Sequence, residues 1–172
     1  MEKEITVIFV SFHSDTVIEK PIKSINKEIK IIVVENSKDQ GLKNHLENKY
    51  SNVEVIIPNE NLGNGAGINA GLKKTKTKYA LYLDVDTEVF PDTIKNLYNA
   101  AQQIKDFSIL APKINNFNYK NECYLKSDKK FEYSNMRFVT GCALFFKTDI
   151  FNDIGFFDEK IFLYYEENDF YE

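Results

Sequence analysis

Short apolar runs alternate with amphipathic stretches through the first two-thirds of the chain. The run "ITVIFV" (5–10) is continuous and β-branched, the pattern of a strand buried on both faces. "KIIVVE" (30–35), "VEVII" (53–57), "YALYLDVD" (79–86) and the short "SILAP" (108–112) repeat it. Between them, Val17, Ile18, Ile22 and Ile25 fall at helical spacing over 15–26, with Asp15 near the cap position. Leu42, Leu46 and Tyr50 make one stripe within 37–50. A glycine-rich stretch, "NLGNGAGINAGLKKT" (61–75), leads into a third helix. Pro91 opens a fourth that runs to about Gln103, with Ile94, Leu97, Tyr98 and Ala101 facing inward. This βαβαβαβαβ order predicts an α/β domain whose central, mainly parallel sheet carries helices on both faces. After residue 112 the rhythm changes. Residues 113–136 are polar, aromatic and irregular, and "RFVTGCALFFKTDIF" (137–151) reads as a strand leading into a short helix.

Composition narrows the partners rather than the fold. The 172 residues fit one domain, 43% are hydrophobic and 28% are charged, as in a soluble globular chain. The net charge is −4 and no basic run exceeds a pair, which argues against nucleic acid as a partner. Cys123 and Cys142 belong to no CxxC pair or Cys/His cluster and read as reduced thiols. The N-terminal apolar run is too short, and too acidic at its front, for a signal peptide. No apolar run approaches the ~20 residues of a membrane span. The expected location is the cytoplasm, with room for peripheral contact at the inner face of a membrane.

Candidate chemistry centres on the fourth strand. After five apolar residues, Tyr79–Leu83, the chain sets down Asp84 and Asp86. In parallel sheets ligands gather at the carboxyl ends of strands. Residues i and i+2 of an extended chain point the same way, so these two carboxylates would share one side. Two close carboxylates repel unless a cation lies between them. Mn²⁺ or Mg²⁺ suits the pair, because such ions bind through one or two carboxylates plus substrate phosphates. The bland alternative is a solvated strand end.

Three resemblances compete for these letters. "LYLDVDTEV" resembles the haloacid-dehalogenase-type phosphatase motif, but that motif ends the first strand of its domain and this one ends the fourth. Residues 65–70 satisfy GxGxxG/A, with Asp84 near the ribose-binding offset of a dinucleotide-binding oxidoreductase. There the glycines should follow their strand directly, whereas "PNENLGN" intervenes here. The third resemblance covers Thr6 to Asp169: "TVIFVSFHS", "IIVVENSKD", "NENLGNGAGINAGL", "YLDVDTEVFPD", "VTGCALFFKTDIFNDIGFFDE" and "FLYYEENDF", in order. Together they resemble the family-2 glycosyltransferases of the GT-A fold, particularly a bacterial rhamnosyltransferase-like branch.

That resemblance implies a single Rossmann-like GT-A domain over 1–172, with a nucleotide-binding half (1–112) and an acceptor-side half (113–172). It implies a metal-dependent inverting hexosyltransferase, rhamnosyl transfer included, that uses a UDP- or dTDP-sugar donor and a glycan or lipid-linked acceptor in polysaccharide biosynthesis. Ser11 and Phe12 would cradle the base. Glu35 stands where most relatives carry the Asp that contacts the pyrimidine, a surface acid being the bland alternative. Asn61, Gly63, Gly65, Gly67 and Asn69 would line the nucleotide pocket near the ribose. The glycines also permit close helix-on-sheet packing, as the Gly67 to Gly71 spacing suggests. Asp84 would lean toward ribose and metal, and Asp86 would be the main metal ligand. Thr140, Gly141 and Cys142 fall on the acceptor side of the sugar pocket, although Cys142 also reads as core. Glu167 takes the place of the family's catalytic Asp, with Glu166 and Asp169 as alternatives. His13 and His45 read as incidental. Relatives usually continue past the acidic motif, whereas this chain stops three residues after Asp169, so a truncated acceptor half is expected. The alternative function is a nucleotide-sugar-binding protein without turnover.

Overall fold

A computed structural model describes residues 1–104, 106–115 and 139–166. After a 3-10 turn (Glu2–Glu4), the elements run β1 (Ile5–Ser11), α1 (Glu19–Ser24), β2 (Lys30–Glu35), α2 (Gln40–Lys49), β3 (Val53–Ile56), α3 (Gly63–Lys74) and β4 (Tyr79–Leu83). They continue with α4 (Thr93–Gln103), β5 (Ile109–Leu110), β6 (Ala143–Lys147) and α5 (Ile150–Ile154). The six strands form one sheet in the order β3-β2-β1-β4-β6-β5. β1 to β4 pair in parallel, whereas β6 runs antiparallel between β4 and β5. The sheet is therefore mainly parallel, as the alternating runs predict, with an antiparallel insertion whose position the order along the chain does not show.

Both faces are covered, which explains why the strands are apolar throughout rather than alternating. One core contains Ile5, Val7 and Phe9 of β1 and Leu81 and Leu83 of β4, under Ile22 of α1, Leu42 and Leu46 of α2, and Ile94, Leu97 and Ala101 of α4. The other contains Ile8 of β1 and Ala80 and Tyr82 of β4, under Ile68 and Leu72 of α3 and Phe151 of α5. Asp39 caps α2, its Oδ1 accepting from Leu42 N at 2.9 Å. The first helix is shorter than the apolar spacing suggests. Residues 15–18 form turns, Val17 N and Ile18 N both donating to Ser14 O, before α1 begins at Glu19.

Two boundaries matter for the site. β4 stops at Leu83, so Asp84 and Asp86 lie beyond the strand rather than on it. Asp84 N donates to Cys142 O at 3.0 Å and Thr87 N donates to Asp84 O at 2.9 Å, turning the chain through Val85 and Asp86. The two-residue parity of an extended strand does not govern this pair. The second boundary is the seat of α3. A Cβ on Gly67 would stand 2.7 Å from Val10 Cγ1, and one on Gly71 would stand 2.5 Å from Ile8 Cγ2. Each glycine costs up to ~1 kcal/mol of helix propensity, and in return the helix backbone lies directly on β1.

Gly71→Ala should therefore destabilise the fold despite alanine's better propensity. Overpacking of ~1–3 kcal/mol outweighs a propensity gain of ~1 kcal/mol. Chemical denaturation of the two proteins measures the difference, and a variant as stable as the parent would refute the close seat.

Candidate active site

Three neighbouring parallel strands, β2, β1 and β4, end at one rim of the sheet. Ser11 and Glu35 are in-register partners at the ends of β1 and β2. Ser11 follows Ile5, Val7 and Phe9 in parity, and Glu35 follows Ile31 and Val33, so both belong to the sheet face under α1, α2 and α4. Both residues are fully buried. Glu35 is thus no surface acid. Its Oε1 accepts from Ser37 N at 2.7 Å and from Ser37 Oγ. Its Oε2, like Ser11 Oγ, has no hydrogen-bond partner among the described residues. Buried polar atoms are nearly always paired, so two orphans on in-register residues at the rim call for an explanation. The adjoining loop turns through His13 at φ 51°, whose N donates to Ser37 Oγ, and leaves Phe12 exposed.

The glycine-rich loop meets this rim through a residue that motif reading passed over. Asn36 is buried next to Glu35, its Nδ2 donates to Gly63 O at 3.0 Å, and its Oδ1 accepts from Leu62 N at 3.4 Å. It ties the end of β2 to the start of α3. Asn61 is exposed, and its Oδ1 accepts from Gly63 N at 3.0 Å. Gly63 has φ +77°, and a Cβ there would stand 2.1 Å from Phe162 O. Glycine is required on both counts.

Phe162 belongs to a strap, residues 157–166, that crosses α3. Asn64 N donates to Phe162 O at 2.9 Å. Gly65 lies beneath the strap, where a Cβ would stand 3.3 Å from Glu166 Cβ. Asn69 is fully buried and grips the strap from both sides, its Nδ2 donating to Phe157 O at 2.9 Å and its Oδ1 accepting from Phe157 N at 3.1 Å. Gly63, Gly65 and Asn69 thus all meet the strap, Gly63 also bonding Asn36 and Asn61. Tyr164 and Tyr165 have φ of 66° and 69° and are exposed, and the chain then turns Glu166 inward, where it is only 4% exposed.

Asp84 and Glu166 are brought to the same end of α3. Tyr82 Oη donates to Asp84 Oδ1 at 2.6 Å and lies 2.9 Å from Asn64 Oδ1. Asn64 Nδ2 donates to Glu166 Oε1. Burial, then the Asp84 charge, push the Tyr82 phenol well above its ordinary pKa, so it stays a donor at neutral pH. Asp86 is exposed in the turn. It nevertheless shares a field with Asp84, because both charges raise the half-buried Cys142 thiol, which burial above all pushes up to about 11. Among the described residues no group of three or more His, Cys, Asp or Glu is arranged to hold a metal alone. Asp84 and Asp86 are two carboxylates in one turn, the kind of donor set that holds a hard divalent cation together with phosphate oxygens and water. Thr140 is exposed and Gly141 half-buried beside Cys142. Glu167, Asp169 and Cys123 lie outside the described residues.

Residues 6–155 match Glycosyl transferase family 2, so the chain belongs to that family. Low-salt glycan biosynthesis hexosyltransferase Agl10 of Haloferax volcanii is 23% identical over 190 residues, covering 99% of this chain and 61% of Agl10. The S. aureus TarS 1–349 structure in complex with UDP superposes with a TM-score of 0.77 at 22% identity, over 98% of this chain and 54% of that one. The mannosyltransferase PcManGT from Pyrobaculum calidifontis, in complex with GDP-Man and Mn²⁺, has a TM-score of 0.70 at 14% identity, over 92% and 48%. The fold is GT-A. The chain spans about half to three-fifths of the length of these relatives.

The strap is held by the buried amide more than by its ion pair. Asn69→Ala removes both side-chain hydrogen bonds to the Phe157 main chain and should cost ~1–3 kcal/mol, at ~0.5–1.5 per bond. Lys73–Glu159 is half exposed on both sides and contributes little. Lys73, then Asn69, lower the Glu159 carboxyl below its ordinary pKa, so whatever it contributes is complete above pH ~4.3 and is lost as pH falls through the lowered folded value. Urea titrations at pH 7 and pH 5 should place Glu159→Gln within ~0.5 kcal/mol of the parent at both, far from Asn69→Ala. Equal losses for the two variants would contradict this anchoring.

Proposed function

We propose that the protein is a metal-dependent inverting glycosyltransferase that moves a sugar from a pyrimidine nucleotide-diphospho-sugar, UDP- or dTDP-linked, to a polysaccharide or glycolipid acceptor. The observation that carries the donor reading is the orphaned pair, Ser11 Oγ and Glu35 Oε2, buried side by side at the rim. A carboxylate oxygen accepts and a hydroxyl can donate, which is the complement of an imide N–H flanked by a carbonyl. Uracil and thymine present that edge. Asn61, Gly63 and Gly65, around the start of α3, would line the path of the ribose and diphosphate from this base site toward Asp84, and Asn69 holds the strap from within the helix. Asp84 and Asp86 would hold Mn²⁺ or Mg²⁺, which when bound supplies charge neutralisation for the departing diphosphate.

Glu167 is the proposed general base, taking the proton from the acceptor hydroxyl as that oxygen attacks the anomeric carbon. The engagement of Glu166 by Asn64 favours this choice, because Glu166 is buried and already hydrogen-bonded. The exposed run Phe162, Leu163, Tyr164 and Tyr165 supports an acceptor or membrane surface with apolar faces. No helix among the described residues is long and apolar enough to cross a membrane. We place the protein in the cytoplasm, in peripheral contact with the inner face of the membrane, with residues 1–112 binding the donor and 113–172 facing the acceptor.

The test is release of nucleotide diphosphate from UDP-, dTDP- and GDP-sugars with Mn²⁺, beside calorimetric donor binding. Uridine or thymidine donors should be turned over in preference to guanosine ones. Asp86→Ala should abolish metal-dependent binding. Glu35→Gln should weaken donor binding by about tenfold or more, the worth of a charged hydrogen bond. Glu167→Gln should bind donor normally without turnover. An Asp86→Ala titration identical to the parent would reject the metal role, and saturable binding without turnover would leave a nucleotide-sugar-binding protein.

A further inference from the structure

We infer that Asn64 and Tyr82 are positioning residues that couple Asp84, at the donor's diphosphate end, to Glu166 at the head of the acidic run. The inference rests on the transferase reading above and adds two residues to which the motifs assign no role. Asn64 and Glu166 are 102 positions apart in sequence. Gly65 opens the space that lets the Glu166 stem lie on α3, and the Asn64 main chain holds the strap through Phe162 O. The Asn64 side chain therefore works between two anchored partners.

Its chemistry is directional. The Tyr82 hydroxyl carries one proton and faces two acceptors, Asp84 Oδ1 at 2.6 Å and Asn64 Oδ1 at 2.9 Å. A charged acceptor makes the stronger bond, so Asp84 takes the proton when its charge is otherwise uncompensated. When that charge is engaged elsewhere, Asn64 Oδ1 competes better for the same proton. Donation into the amide oxygen polarises the amide and strengthens donation from Nδ2, as chains of hydrogen bonds reinforce one another. The recipient is Glu166 Oε1. Glu166 Oε2 has no partner among the described residues, so the amide matters to how this buried carboxylate is held. Occupancy at Asp84 is thus felt at Glu166, and the residue that follows it in sequence is Glu167. A packing role for Asn64 and Tyr82 would need neither the hydroxyl nor the amide.

The test uses the full chain with ¹⁵N-labelled asparagine side chains, the Asn64 amide pair being identified by its loss in Asn64→Leu. In ligand-free protein, Tyr82→Phe and Glu166→Gln should each displace the Asn64 signals. Adding UDP and Mg²⁺ should displace them in the parent and should no longer do so in Tyr82→Phe. With a donor that the parent turns over, Tyr82→Phe and Asn64→Leu should each lower kcat about tenfold or more while the donor KM stays within about threefold. The double variant should be no worse than Asn64→Leu, because residues acting as one unit are not additive. Signals indifferent to Tyr82→Phe or Glu166→Gln, additive kcat losses, or losses confined to KM or to thermal stability would overturn the inference. A parent that binds UDP and Mg²⁺ but turns over no donor would sink the transferase reading alone, and the amide response to Tyr82→Phe would then decide the coupling.

Discussion

The seat of α3 is the constraint on which the rest of the site depends. Its underside lies on β1 at Gly67 and Gly71, where no Cβ fits, and its upper side carries the strap at Gly63 and Gly65. Held between sheet and strap, the helix presents its first turn to the ends of β2 and β4 together. Asn36 fixes it to β2, and Asn64 and Tyr82 link it to the turn after β4. A larger residue at any of the four glycines pushes apart groups that must meet within hydrogen-bond distance. The glycine run, unfavourable as helix, is favourable as architecture.

The rim that results joins two kinds of polar surface. On the face under α1, α2 and α4 lie the orphaned oxygens of Ser11 and Glu35. On the α3 side lies a hydrogen-bonded chain from Asp84 through Tyr82 and Asn64 to Glu166. A donor that reaches from one to the other must cross the ends of β1 and β4, which is where ligands of open α/β sheets gather. The two parts differ in what they lack. Glu35 Oε2 and Ser11 Oγ lack partners, which the proposed base edge would supply. Asp84 and Asp86 put two carboxylates in one turn, and the proposed cation with its diphosphate would disperse that charge.

Much of this was legible in the pattern of the chain. Continuous apolar runs marked β1 to β4 because both faces are covered, and the helical stripes marked α2 and α4. The spatial order was not legible, since β6 comes last in sequence yet pairs with β4, and only a sheet in three dimensions shows an insertion. The end of β4 was read three residues too far, because Asp84, Val85 and Asp86 continue the alternation while a bond to Cys142 O and a turn at Thr87 end the strand. Glu35 was readable either as a surface acid or as a base contact, and its burial settles only that it is inside. Asn64 and Tyr82 fell inside the quoted stretches but carried no signal for a role of their own. An asparagine and a tyrosine acquire meaning only when residues far apart in the chain supply their partners.

The central claim is that the rim between Glu35 and Asp86 is one donor site. The most direct measurement is a crystal structure of the protein with UDP and Mn²⁺. The account predicts the uracil imide edge on Glu35 and Ser11, and Mn²⁺ between the diphosphate and the carboxylates of Asp84 and Asp86. A nucleotide bound elsewhere, or at the rim with its base turned away from Glu35 and its metal off both aspartates, would contradict it.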